Sequence, residues 1–173
     1  MKSLDEYDAV VAKVDAAVAH SSRLAADQIS CRAGCDSCCV AGLTVLPVEA
    51  ASLQRFLDAH VPAFSQKGEG WCTFVAVDGR CAVYDARPLL CRTHGLPLKE
   101  LQPEKRGSLR VVAEGVSVCG LNFTGRSPTA AETLDAEAVL KLLIVVDRRF
   151  RGAAGLPDDL SRVSLEQLKS TAP

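Results

Sequence analysis

Residues 31–39 read Cys-Arg-Ala-Gly-Cys-Asp-Ser-Cys-Cys and place four of the chain's eight cysteines within nine positions. A chain of 173 residues can bury an apolar core of ordinary size, so these cysteines are not needed as covalent staples. Thiolates bind soft and borderline metals, and Gly34 allows the positive φ with which a backbone can turn around a small object. The segment therefore predicts a loop that holds a metal.

The remaining four cysteines each lie at a predicted turn or at the end of a predicted element. The candidate metal ligands are Cys31, Cys35, Cys38, Cys39, Cys72, Cys81, Cys91 and Cys119. They are enough for two sites of four ligands each, or for one site with spare thiols. In an extended backbone the adjacent Cys38 and Cys39 would point to opposite faces, so we do not expect them to bind one zinc ion as a simple pair.

The spacing of the first cysteines favours an iron–sulfur cluster. Cys31-x3-Cys35-x2-Cys38 can place three thiolates on three irons of a [4Fe-4S] cluster, with a fourth ligand from elsewhere in the chain. Radical S-adenosylmethionine enzymes share this spacing, but the repeated βα pattern of their barrel is missing here. Zinc is the alternative, since it binds four thiolates without redox chemistry and can simply fold a loop. Only Cys35-Asp-Ser-Cys38 has the paired form typical of zinc knuckles.

Composition and charge limit the cellular compartments and the kinds of partner that we expect for this chain. The acidic residues Asp5, Glu6 and Asp8 interrupt the N-terminal stretch where a signal peptide needs an apolar run. The longest apolar run, residues 142–146, is far too short for a membrane span. We therefore expect a cytoplasmic protein, in which clustered thiols are better explained by metal ligation than by disulfides. A net charge of −1 gives no basic surface for nucleic acid.

Apolar periodicity and turn signals predict an α+β fold that is mainly helical. We expect one domain over residues 1–173, with a cysteine-rich metal-binding core at 31–119, flanking helices within 1–28 and 129–171, and a short β-hairpin. The individual predictions are a helix over 4–28, a helix from Pro47 to about His60, hairpin strands 71–77 and 81–84, a helical turn after Pro88, a strand over 108–118, a helix from Thr129 to about Phe150 and a short helix at 164–167.

A family resemblance follows from the combined motifs. They are Cys31-x3-Cys35-x2-Cys38-Cys39, Trp71-Cys72-Thr-Phe74, Asp78-Gly-Arg-Cys81-Ala-Val-Tyr84 and Arg87-Pro88-x2-Cys91-Arg92. Together they resemble the "putative zinc- or iron-chelating" family named CxxCxxCC, also called the YkgJ-type cysteine-cluster family. The resemblance covers about residues 31–95 and implies a small bacterial metal-binding domain whose cysteines hold iron, as a cluster, or zinc. It implies no reaction.

The polar residues near Cys91 have two possible roles each. Arg87 and Arg92 could offset the negative charge of a thiolate cluster, or form structural salt bridges, which is the favoured reading for Arg87. His94 could be a ligand, but a capping or surface role is favoured. Trp71 and Tyr84 are expected to pack over the site.

These observations together predict a metal-binding protein with an iron–sulfur cluster or iron. Its role would be electron transfer, redox sensing or metal handling, and a zinc-stabilised interaction module without catalysis is the alternative. No catalytic residue is predicted, a non-enzymatic protein is favoured, and the protein partner is unknown.

Overall fold

The helices and strands are described by a computed structural model for residues 2–60, 63–100 and 109–168. Over these residues the chain forms four α-helices and six short strands. The helices are α1 (Lys2–Leu24), α2 (Pro47–Ala59), α3 (Leu89–Thr93) and α4 (Ala136–Ala154). The strands are β1 (Thr44–Val45), β2 (Leu98–Lys99), β3 (Leu109–Ala113), β4 (Val116–Cys119), β5 (Leu134–Asp135) and β6 (Val163–Ser164). The fold is thus mixed α+β, as predicted.

The first apolar core lies between α1, α2 and α4. Tyr7, Val10 and Val14 recur on one face of α1 and are buried against Leu46 and Val146. This face follows the spacing of three and four residues that an amphipathic helix buries. The short helix α3 packs against this core, because its Leu89 belongs to the same apolar cluster.

The strands form two small sheets. One sheet has the order β3-β4-β2-β5, in which β2 and β5 are parallel and the other pairs are antiparallel. The other sheet is the two-stranded antiparallel pair of β1 and β6. Strand β4 is central in the larger sheet and ends at Cys119, which is only 3% exposed. The larger sheet therefore holds one predicted ligand in a buried position.

Several predicted elements are confirmed. The predicted helix 4–28 is α1, which ends earlier, at Leu24. The predicted helix from Pro47 is α2, with Pro47 in its first turn. Pro88 precedes α3, and the short helix at the end of the chain is a single 3-10 turn, Leu165–Gln167.

Three sequence predictions are corrected by the structure. The predicted strand over 108–118 is a hairpin of β3 and β4, turning at Gly115 with φ 69°, and its first residue lies outside the described residues. The Thr129–Glu132 capping box starts a 3-10 turn, Ala130–Glu132, and α4 begins later with Asp135 as its N-cap.

The third correction concerns the predicted hairpin over 71–84. Its Asp-Gly turn exists, but the flanking segments form turns and isolated bridges in place of strands, and the bridge Val75↔Cys81 joins the two segments. Residues 84–86 form a 3-10 turn. The segment has too few ladder hydrogen bonds to count as a pair of strands. It still reverses the direction of the chain.

No helix among the described residues combines the length and the apolar character needed to cross a membrane.

Candidate metal centre

The loop of residues 31–39 is built from two tight turns. The amide of Cys35 donates to the carbonyl of Arg32 at 2.9 Å, and the amide of Cys39 donates to the carbonyl of Asp36 at 2.8 Å. Gly34 has φ 85°, which fits the positive value expected from the sequence. The two turns therefore fix the backbone that carries Cys35, Cys38 and Cys39.

Lys67, which lies outside this loop in the sequence, contacts it through an ion pair. Its ammonium group forms an ion pair with Asp36 and lies 3.5 Å from the centroid of the Trp71 ring. Both side chains of the ion pair are largely buried, so solvent screens the pair weakly. Trp71 packs on the loop through this lysine and through an isolated bridge with Val40, in partial agreement with the predicted shielding role.

The turn at residues 78–80 packs directly on the loop. Gly79 has φ 78°, and a β-carbon at this position would lie 2.6 Å from the carbonyl oxygen of Gly34 and 3.0 Å from a carboxylate oxygen of Asp36. Only glycine fits both the backbone conformation and the available space. The two segments therefore meet through backbone contact.

Gly79→Ala is expected to lower the free energy of unfolding by about 1–3 kcal/mol, because it combines a strained φ with a backbone clash. It should also reduce the metal bound per chain, since the loop must move. Urea denaturation and metal analysis measure the two effects.

Gly152→Ala is the matched control. Gly152 lies in α4 with open space around its α-carbon, so alanine should be neutral or stabilise by up to about 1 kcal/mol. Equal unfolding midpoints for Gly79→Ala and the unchanged protein would contradict the close contact between the loop and the turn.

Cys72 and Cys81 are brought to the loop by the same chain reversal. The amide of Cys72 donates to the carbonyl of Cys39 at 2.9 Å, and Cys81 bridges Val75. Both cysteines pack against the apolar cluster that includes Phe74. Burial raises the pKa of both thiols, and the charge of Cys81 raises that of Cys72 further. The sequence prediction that the turn brings these two residues together agrees with this interaction.

Cys91 enters the site from α3, which Glu49 fixes in place. The Glu49 carboxylate is 2% exposed and accepts the amide of Leu89 at 3.0 Å and that of Leu46 at 3.1 Å. One buried carboxylate therefore joins the first turn of α2 to the first turn of α3. Sequence reasoning missed this residue, because its partner amide is 40 positions away along the chain.

The Cys91 thiol faces other thiols. Burial is the largest cause that raises its pKa, to about 12, and the charges of Cys72, Cys81 and Cys38 contribute in the same direction. The negative charges of three thiolates thus disfavour the ionisation of the Cys91 thiol. A metal cation at this place would reverse that mutual repulsion, because it stabilises each thiolate.

Cys38 and Cys39 interact with each other. The interaction between the two thiols is the largest cause of their opposite pKa shifts: the pKa of Cys38 is lowered to about 7, and that of Cys39 is raised. The charges of Cys72 and Cys91 also raise the pKa of Cys39. The two residues lie at a turn, so the opposite orientation expected of an extended backbone does not apply. Both thiols therefore belong with those around Cys91.

Cys31 and Cys119 lie beside a buried amide. Asn122 is fully buried, and its Nδ2 donates to the Cys31 sulfur at 3.4 Å and to the carbonyl of Gly95 at 2.6 Å. Its backbone amide donates to the carbonyl of Cys119 at 2.9 Å. Sequence reasoning missed Asn122, because its side-chain partners Ser30, Cys31 and Gly95 are distant along the chain.

Arg87 is the cation beside the thiols. Its guanidinium carbon lies 3.4 Å from the centroid of the Tyr84 ring, and its Nε donates to the Tyr84 carbonyl at 2.9 Å. Its charge lowers the pKa of Cys38, where the hydrogen bond from Cys39 is the larger cause. Among the described residues, Arg87 is seen stacked on Tyr84 and not in the salt bridge favoured from sequence. Tyr84 is 57% exposed, so the prediction that it is packed over the site is wrong.

Arg92 has a structural role. It forms a bidentate ion pair with Asp15 at 3.0 and 2.8 Å and donates from Nε to the carbonyl of Arg87 at 2.7 Å. These bonds tie α3 to α1. His94 follows as the C-cap of α3, with its amide donating to the carbonyl of Leu90, in line with the capping role favoured from sequence.

The donor set suits a soft or borderline metal. All eight cysteines are free thiols, and those acting most strongly on Cys91 are other cysteines. Among residues 2–60, 63–100 and 109–168, no group of three or more histidine, cysteine, aspartate or glutamate side chains is already arranged to hold a metal ion. Cys31, Cys35, Cys38, Cys39, Cys72, Cys81, Cys91 and Cys119 therefore stay predicted ligands, which would have to draw closer around a metal.

The comparison with known families agrees with the cysteine motifs. Residues 30–107 match the family model CxxCxxCC, described as "Putative zinc- or iron-chelating domain". Seven of the cysteines lie inside the matched segment, and Cys119 lies beyond it. No curated protein and no solved structure matches the chain.

Proposed function

We propose that the protein binds iron as an iron–sulfur cluster, held by thiols gathered around Cys91. The family supports metal binding with zinc or iron as the metal. The observation that supports the cluster is that the chain brings separate cysteine-bearing segments together: the amide of Cys72 donates to the carbonyl of Cys39 at 2.9 Å, and Cys72 and Cys81 pack against one apolar cluster. The charges of Cys72, Cys81 and Cys38 also raise the pKa of Cys91, so the thiols proposed to hold the cluster are Cys38, Cys39, Cys72, Cys81 and Cys91.

Five thiols exceed what one tetrahedral metal ion uses. A structural zinc site takes four ligands, whereas the irons of a cluster are separate and each accepts its own thiolate. Cys38 and Cys39 are adjacent and in direct contact, and a centre with several metal ions can accept both. A [4Fe-4S] cluster also takes four thiolates, and the fifth thiol would then be a hydrogen-bonding neighbour. What favours the cluster over zinc is therefore the adjacent pair Cys38 and Cys39, which separate irons can bind.

The surroundings also suit a redox centre. Arg87 offsets the negative charge of the thiolates, and the apolar cluster with Phe74 and Val83 limits the access of water. Both features influence the reduction potential of a cluster. The proposed role is therefore electron transfer, redox sensing or metal handling with an unidentified protein partner.

Protein purified under anaerobic conditions is expected to be brown, to absorb near about 400 nm, and to contain iron together with acid-labile sulfide. Elemental analysis and sulfide determination on the same sample provide the test. Colourless protein with stoichiometric zinc and no sulfide would reject the iron–sulfur proposal in favour of a zinc-stabilised interaction module. A chain free of both metals would reject metal binding altogether.

A further inference from the structure

We propose that residues 162–168 form a hinged strap that closes over Cys72 and Cys81 and opens about the segment 157–161. The strap follows α4 in the chain and includes β6 and the 3-10 turn Leu165–Gln167. In its closed position it covers the apolar cluster against which the two cysteines pack. In its open position, molecules from solution reach these thiols.

The inner face of the strap belongs to the same apolar cluster as the two cysteines. Leu165 is a buried member of this cluster, with 3% of its surface exposed, and Val163 and Leu168 pack against the cluster. Cys72 and Cys81 pack against it as well. Opening the strap withdraws three apolar side chains from the cluster, so solvent gains access to the remaining members.

A cavity borders on both the strap and Cys72. Its volume is about 370 Å³, and its lining residues include Trp71 and Cys72 as well as Glu166 of the strap. The charge of Glu166 also contributes to the raised pKa of Cys72, for which burial is the larger cause. The strap is thus one border of the space next to this thiol, and its position decides how far that space is open to solvent.

The bonds that hold the strap closed are few and exposed. Strand β6 pairs with β1 over two residues. Glu166 accepts the amide of Gly42 at 2.8 Å, and Arg162 donates to the hydroxyl of Thr44 at 2.9 Å and to its carbonyl at 2.7 Å. Because these side-chain bonds lie at the surface, water can replace them, and each contributes little to the closed position. The strap can therefore open while the helices stay folded.

The base of the strap is fixed more firmly. Arg151 of α4 is 1% exposed and donates to the carbonyl of Pro157 at 2.8 Å and to the carbonyl of Ser161. Leu160, between these two residues, has φ 55°, a left-handed conformation that leucine rarely adopts. Such a conformation persists only where the surrounding structure holds it. Residues 157–161 are therefore a fixed point about which the strap turns.

The strap gives the two thiols a closed and an accessible state, whichever metal they hold. Where they hold the proposed cluster, a chelator reaches the cluster in the accessible state. That consequence rests on the proposed function, whereas the strap itself does not.

Hydrogen–deuterium exchange of the purified full-length protein tests whether the strap opens as a unit. The amides of Gly42 and Leu165 are both bonded across the strap, so peptides covering 42–45 and 162–168 should exchange at similar rates and faster than those of α2. Arg162→Ala removes both bonds to Thr44 and should speed the exchange of both peptides about tenfold, with α2 unchanged. Gln167→Ala, at an exposed residue of the same segment, is the control and should change neither peptide. Unchanged exchange in Arg162→Ala would overturn the strap.

Alkylation by iodoacetamide tests whether the strap covers the two cysteines. The full-length chain is reduced and freed of metal by a chelator, and mass spectrometry follows each cysteine separately. In Arg162→Ala, Cys72 and Cys81 should react about tenfold faster than in the unchanged protein and in Gln167→Ala. The exposed Cys31 and the buried Cys119 should keep their rates.

Two results would overturn the inference. Unchanged rates at Cys72 and Cys81 would show that the strap does not cover them, and an equal rise at Cys119 would show that the whole molecule opens. Absence of metal from the purified protein would instead reject the proposed function and leave both measurements on the strap as they are.

Discussion

Cys91→Ser is expected to remove the iron and the acid-labile sulfide of the proposed centre almost completely. Cys91 is the thiol on which three others act, and it comes from a helix anchored by a buried carboxylate. A serine hydroxyl is a harder and far less acidic donor than a thiol, so it does not replace a thiolate on iron. Iron, sulfide and absorbance per chain measure the loss.

His20→Ala is the control for this experiment, because His20 is an exposed residue of α1 away from the thiols. It should retain full metal content. Helical circular dichroism should be similar in both variants, since α1, α2 and α4 pack through apolar residues that do not include Cys91. A Cys91→Ser protein with undiminished iron and sulfide would show that the thiols around Cys91 do not form the centre.

The sequence predicted the secondary structure most accurately where the signals lie within a single helix. The apolar spacing along α1, Pro47 at the start of α2 and Pro88 before α3 each specify a helix with a few neighbouring residues. The cysteine motifs likewise predicted the family match, because the spacing of cysteines along the chain is recorded in the sequence itself.

The sequence could not predict the contacts that decide the geometry of the site. Asn122 meets Cys31 across 91 positions, and Glu49 meets Leu89 across 40. Such pairs depend on how elements pack, which no local pattern records. The segment at 71–84 failed for a related reason: its β-branched and aromatic residues favour strands, but the contact of Gly79 with the loop holds the chain in turns.

A buried ion pair on α4 stabilises the packing of α2 and α4, next to which the candidate metal centre lies. Asp147 and Arg151 lie one turn apart on α4, with side chains 0% and 1% exposed, and their Oδ2 and Nε are 2.6 Å apart. Asp147 also accepts the amide of Val48 at 3.0 Å. Arg151 donates onward to the carbonyl of Pro157 at 2.8 Å and to Asp159 at 3.0 Å. The pair thus binds α2 and the segment after α4 to one helix.

Arg151→Met is expected to lower the free energy of unfolding by about 3–5 kcal/mol, because it leaves the buried Asp147 carboxylate without its cation. That is a large part of the about 5–15 kcal/mol that stabilises a typical domain. Urea denaturation measures it. Metal retention should fall as well, because Val48 and Glu49 share the first turn of α2, and Glu49 fixes the helix that carries Cys91.

Arg148→Met is the matched control on the same helix. Arg148 pairs with Asp158 at 3.2 Å, but both side chains are more than half exposed, so its loss should cost at most about 1 kcal/mol. Adding Asp147→Asn to Arg151→Met should recover part of the lost stability, since the second change removes the unpaired charge. Equal unfolding midpoints for Arg151→Met and Arg148→Met would show that the buried pair does not hold α2 to α4.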